Sequence, residues 1–265
     1  MKGFGRIVPC VLGLLIAVPA ARTSAQNLLR NPSFELVGPA GPHTIQAAVG
    51  QNGPSAAADW RVWQARLGPT VTSLVPSTLP GGGLCMLRVT TNGRHNGLYQ
   101  IFATPVDNPP KVLSLVWVWV ARGRVGVGTG DGSRTFVSQT STTLGQWELL
   151  CTGNSVSPAN ETVIYAVSEE GADFFVEGCV TLEPHSGALA GLVESMGLHH
   201  GITRSLLAKL RAAREAEERG DVEAWRACLG AFRHEVAAQT GRLIPAGQAG
   251  VLLRIAAELE AAPLP

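Results

Sequence analysis

Residues 111–121 carry the clearest hydrophobic pattern in the chain. Val112, Ser114, Val116, Val118 and Val120 alternate with Leu113, Leu115, Trp117 and Trp119. A period of two sends these sets to opposite faces of a strand. Both faces are largely apolar, so the pattern predicts a central strand covered on both sides. Shorter apolar runs predict further strands over 27–35, 84–90, 98–103, 124–127, 134–138, 147–152, 161–167 and 174–182. Between them lie turn signals: Asn52-Gly53-Pro54, the glycines at 81–83, Asn92-Gly93, the glycine-rich stretch 128–132 read as a hairpin turn, and Glu169-Glu170-Gly171. Short strands punctuated in this way predict a sandwich or jelly roll.

After Pro184 the period becomes helical. A short helix is expected over 188–196, then a longer one over 203–219 with Leu206, Leu207, Leu210 and Ala213 on its apolar stripe. Gly220 stops it and Asp221 caps the next, whose buried positions are Val222, Trp225, Leu229, Phe232 and Val236. Gly241 ends that helix, and Pro245 suits the first turn of another, with Ala249, Leu252, Leu253, Ala256 and Leu259 facing inward. The predicted fold is therefore a mainly β jelly-roll sandwich, residues 27–184, followed by a small all-α three-helix bundle, residues 188–262.

Composition narrows the partners and the address. The 265 residues carry a net charge of +1, which gives no electrostatic reason to expect nucleic acid or an anionic membrane. Residues 1–25 read as an export signal: Lys2 and Arg6 precede the apolar run 11–18, and Thr23-Ser24-Ala25 ends in small residues. The run is too short to span a bilayer. The expectation is a secreted, periplasmic or cell-surface protein with no membrane span after cleavage. Cys85, Cys151, Cys179 and Cys228 remain, isolated in sequence. Export permits disulfides, but the spacing indicates neither a disulfide framework nor a zinc site, and buried apolar thiols are the favoured reading.

Candidate chemistry is sparse. No Gly-x-Ser-x-Gly, His-Glu-x-x-His or Cys–His arrangement is present, and Glu148, Glu169, Glu170 and Asp173 are not placed as a facing pair, so no enzyme is expected. His199-His200 is adjacent and cannot offer one metal two ligands from one helix face. A glycan binder needs flat aromatic rings for the apolar faces of sugars and polar side chains for their hydroxyls. The candidates are Trp63, Tyr99 and Trp119, with the polar loop Arg94, His95 and Asn96. Trp60, Trp117 and Trp147 are assigned to the core, which is the competing assignment for Trp119 too.

Several short motifs occur in a telling order. They are Asn-Leu-Leu-Arg-Asn-Pro-Ser-Phe-Glu at 27–35, Trp60, Leu98-Tyr99-Gln100, the strand Leu113 to Val118, and Gly145-Gln146-Trp147. Together they resemble the CenC-type carbohydrate-binding modules, which have a galactose-binding-like jelly roll. The helical part resembles the FIMAH-type module of secreted bacterial proteins, on residues 197–210, Gly220-Asp221 and 231–236. The first resemblance implies a polysaccharide or cell-surface glycan as partner, an extracellular protein being the alternative. It also implies one structural calcium between Glu35 and a late acid. The last strand departs from the family pattern: Glu177 takes the acidic position in one alignment, while Gly178 and Cys179 take it in the other. A vacant site with both acids solvated or paired is the alternative.

Overall fold

In this computed structural model, which describes residues 27–102, 111–131, 135–153 and 159–262, the strand predicted over 111–121 is β7 (Leu113–Arg122). Its neighbours in one six-stranded antiparallel sheet are β10 (Trp147–Cys151) on one side and β12 (Asp173–Leu182) on the other. Beyond β12 lie β5 (Cys85–Thr90), β4 (Thr70–Pro76) and β1 (His43–Gln46). The second six-stranded sheet runs β2 (Gln51–Pro54), β3 (Arg61–Gln64), β6 (Gly97–Ile101), β11 (Glu161–Ala166), β8 (Val125–Gly130) and β9 (Thr135–Thr140). The two sheets form the sandwich. Phe34, Trp60, Leu87, Leu98, Val118, Ile164 and Phe174 belong to the core between them.

One polar device sits inside that core. Ser114 Oγ on β7 meets Thr181 Oγ1 on β12 at 2.8 Å, and both meet Thr162 Oγ1 on β11, at 2.9 and 2.7 Å. A hydroxyl both donates and accepts, so three can close a ring with none orphaned. The ring links the two sheets.

Four helices follow: α1 (Ser186–Ser195), α2 (His200–Glu218), α3 (Val222–Gln239) and α4 (Ala246–Ala261). Their apolar faces merge with the outer face of the first sheet. Leu113 and Leu115 of β7, Val180 and Leu182 of β12 and Cys151 of β10 share one cluster with Leu189, Leu206, Trp225, Phe232 and Leu252. Thus the two apolar faces of β7 are covered by different things, one by the opposite sheet and one by helices. Trp117 is half-buried at this seam, and its Nε1 donates to Gly247 O at 3.2 Å. Gly250 lies over the same ring: a Cβ there would stand 2.8 Å from Trp117 Cζ2. None of the described helices is long and apolar enough to cross a membrane.

Several local expectations are corrected. Residues 27–35 form no strand. Asn31 and Phe34 adopt φ of 45° and 60°, and Pro32 has no N–H, so the segment meets β12 through isolated bonds, Leu28 N to Thr181 O at 2.7 Å and Cys179 N to Pro32 O at 2.9 Å. Asn52 to Pro54 belong to β2, an edge strand, where a proline is tolerated. Gly128 and Gly130 are paired residues of β8 rather than a turn. His199 is the N-cap of α2, its Nδ1 accepting from Gly201 N at 3.3 Å. All four described cysteines are free thiols, Cys151 and Cys179 buried. The expected signal, residues 1–25, lies outside the described residues.

Candidate functional site: the outer face of the second sheet

The outer face of the second sheet carries an aromatic cluster that the strand register assembles. Trp63 lies opposite Gly97, and Gly97 opposite Tyr165, so the three form one row across β3, β6 and β11. Gly97 is what lets the row close. A Cβ there would stand 2.9 Å from Tyr165 Cδ1, so the tyrosine ring lies across the gap. The next row runs Arg61, Tyr99, Val163 and Gly128. Trp63 packs against Tyr99, Val163 and Tyr165. The tyrosines are 7% and 8% exposed, while Trp63 keeps a half-exposed edge.

Beyond the aromatics the face becomes bare and then polar. Gly126, Gly128 and Gly130 face Tyr165, Val163 and Glu161 in register, so β8 contributes no side chain to this surface. Side chains two strands apart are separated by about 10 Å, and the glycines leave a narrow furrow between β11 and β9, with the residues of β8 and β11 themselves buried. Val137 of β9 leans into it at Gly126, where a Cβ would meet Val137 Cγ1 at 2.2 Å. Glu161 lies in the third row between Ile101 and Gly130 and is 7% exposed, and Thr135 Oγ1 donates to it at 3.0 Å. Burial pushes its carboxyl above the usual range, with Asp131 adding repulsion against the pull of the Thr135 hydrogen bond. Burial likewise raises both phenols, Tyr165 far more than Tyr99, so both keep their O–H donors. Arg61 donates to Asn52 Oδ1 at the exposed end of the second row. Of these groups only the Trp63 edge and the Arg61 guanidinium reach the surface, and the two phenols and the Glu161 carboxyl lie buried beside them.

The predicted site residues divide among three places. Trp63 and Tyr99 meet here. Arg94 and His95 are exposed on the loop that enters β6; Arg94 pairs with Glu169 at 2.9 Å, and His95 adopts φ 65°. Burial, then the charges of Arg94 and Arg66, hold the His95 imidazole below its usual pKa. Asn96 is fully buried, and its Oδ1 accepts from Ala65 N and Arg66 N at 2.7 and 2.9 Å. It clamps the loop to the end of β3 and is not on the surface. Trp119 lies on the other sheet. Sequence reasoning missed Tyr165, Glu161 and Arg61. The alternation Glu161-x-Val163-x-Tyr165 was visible, but its face was not.

Trp60 is in the sandwich core as expected, 2% exposed. Trp147 is not: it is half-exposed on the outer face of the first sheet, opposite Trp119. Trp117 sits under α4 rather than between the sheets.

Glu35 and Glu177 do converge, on the loop before β5. Glu35 Oε1 accepts from Leu84 N at 2.7 Å and Cys85 N at 3.2 Å, and Glu177 accepts from Ser77 Oγ and Gly83 N. Burial raises the Glu177 carboxyl, Ser77 and Gly83 oppose this, and the Glu35 charge adds to it. Calcium takes about 6–8 oxygen ligands. Here the carboxylates face N–H and O–H donors, which repel a cation, and no group of three or more His, Cys, Asp or Glu suited to a metal occurs among the described residues. The pair fits a carboxylate clamp on Ser77 and the backbone of Gly83, Leu84 and Cys85 better than a calcium site. A cavity of about 500 Å³ adjoins it, between the sheet and α1 and α4, with Trp117, Glu177, Met196 and Gln248 among its walls.

No family model and no curated protein matches this chain. Among solved structures, it is similar to the C-terminal family 22 carbohydrate binding module of Clostridium thermocellum Xyn10B. The identity is 16% over 59% of this chain and 94% of that one, with a TM-score of 0.40. A family 29 carbohydrate binding module aligns at 8% identity over 52% of this chain and 88% of that one, TM-score 0.35. The arabinose-bound α-L-arabinofuranosidase MgGH51 aligns at 12% identity over 69% of this chain and 29% of that one, TM-score 0.39.

Proposed function

We propose that this is an exported, noncatalytic protein whose sandwich binds carbohydrate along the furrow of the second sheet. One observation carries this reading: Trp63, Tyr99 and Tyr165 are gathered beside a strand of glycines, with Arg61 and the Trp63 edge at the surface of the cluster. A sugar ring presents apolar C–H faces to aromatic rings and hydroxyls to a guanidinium. Trp63 is the aromatic with an open edge, so it is the contact a sugar reaches first.

The test is a titration followed by tryptophan fluorescence, with xylan, hydroxyethylcellulose, galactomannan and laminarin, in calcium and in chelator. A saturable shift with at least one polymer is expected, independent of calcium. Truncating a central aromatic anchor costs about 2 kcal/mol or more, which corresponds to about thirtyfold in affinity. Trp63→Ala is therefore expected to weaken binding at least tenfold. A folded protein that responds to none of the four, or a Trp63→Ala protein that binds as before, refutes the reading.

A further inference from the structure

The outer face of the first sheet holds a second aromatic array, on the opposite side of the sandwich from the furrow. The helices cover only part of this face. Past their edge, one row of paired residues crosses all six strands: His43, Ser73, Arg88, Phe175, Trp119 and Trp147. The last three lie on neighbouring strands and are half-exposed. The Phe175 and Trp119 rings meet edge to face, centroids 5.4 Å apart.

The row has a fixed polar end. Arg88 Nε and Nη2 hold the two oxygens of Asp173, at 3.1 and 2.7 Å, and its guanidinium carbon lies 5.7 Å from the Phe175 centroid. Thr90 Oγ1 donates to the same carboxylate at 3.2 Å. A guanidinium held by a fork and by a ring is pre-organised, and less side-chain entropy is lost when it meets a ligand.

We propose that this row is a second carbohydrate-contact surface, which takes an extended polysaccharide lying across the strands. The proposal rests on the carbohydrate reading of the furrow and extends it: the protein grips chains on both faces and bridges them. Strands stand about 4.8 Å apart, so the three rings span about 10 Å in a line one residue wide. The row beside the rings carries Thr90, Asp173 and Arg122, so the apolar strip is narrow and edged with polar groups. A linear polymer needs only the line, with rings for its apolar faces and the Arg88–Asp173 pair for its hydroxyls.

The experiment is affinity electrophoresis of the full chain in gels holding each of the four polymers named above. The variants are Trp63→Ala, Trp147→Ala, Trp119→Ala with Trp147→Ala, and Arg88→Lys. Two sites that engage the same gel-held polymer network raise avidity by about 10²–10⁴. Removing either site is expected to weaken retardation at least tenfold. Trp147→Ala alone, on an edge strand, and Arg88→Lys keep the test open should the double tryptophan variant not fold. If the first-sheet variants migrate like wild type while Trp63→Ala loses retardation, the second surface is overturned and the furrow stands. The reverse pattern overturns the furrow and keeps the row. A wild-type chain retarded by no polymer overturns both.

Discussion

Replacing Gly250 by alanine lowers stability, although alanine is the better helix former. Gly250 is in α4, where glycine is about 1 kcal/mol worse than alanine. Opposing that gain is the Trp117 ring. The new Cβ would stand 2.8 Å from Cζ2 and 3.4 Å from Cη2, whereas carbon atoms pack best at about 3.5–4.0 Å. The ring also lines the cavity beside Glu177, but a shift away from α4 is opposed by its hydrogen bond from Nε1 to Gly247 O. Overpacking costs about 1–3 kcal/mol, so the balance is a loss of up to about 2 kcal/mol after the propensity gain. Gly230 in α3 is the control, because a Cβ there meets nothing within 4 Å. Gly230→Ala is expected to add about 0.5–1 kcal/mol. Urea denaturation of both variants at equal m-value reads the two signs directly. A Gly250→Ala protein as stable as Gly230→Ala would show that α4 does not press on Trp117 as described.

Three further outcomes follow from buried polar contacts. Ser186→Ala removes the acceptor of the Trp225 indole N–H, 3.0 Å away and buried, and is expected to cost about 1–3 kcal/mol in chemical denaturation; an unchanged midpoint would contradict that bond. Thr162→Val breaks two sides of the hydroxyl ring but leaves Ser114 and Thr181 paired with each other, so a smaller loss of about 1–2 kcal/mol is expected by the same assay, and no loss would mean the ring contributes nothing. Glu177 has a folded pKa raised above its unfolded value, so its contribution is complete below the unfolded value of about 4.3 and is lost as pH rises through the folded one. Glu177→Gln cannot ionise, and its stability relative to wild type is expected to improve between pH 4 and pH 7; a constant difference would refute the assigned cause.

The sequence shows the alternation of β7 and the stripes of α2, α3 and α4, because each repeats over several turns or pairs within one segment. It also shows that both faces of β7 are covered. It cannot show that one cover is a sheet and the other a set of helices, and so Trp117 and Trp119, two residues apart on one face, look equivalent. In the structure α4 buries the first and leaves the second half-exposed. The site is harder to see because it is made by register. Trp63, Gly97 and Tyr165 are far apart in the chain and meet only when β3, β6 and β11 align. The glycines of β8 read as a turn, since glycine marks turns locally, and only pairing with β11 reveals them as the floor of a furrow.

The shared cluster beneath the helices also sets an order of events during synthesis. The strands of the first sheet emerge before any helix, so Leu113, Leu115, Val180 and Leu182 have no cover until the stretch Ser186 to Ala261 arrives. At about 5–20 residues per second that wait lasts on the order of 4–15 s. Throughout it the newborn sandwich presents an adhesive apolar wall. A chain that lacks α4 keeps part of that wall open, since Val251, Leu252, Ile255 and Leu259 belong to the same cluster.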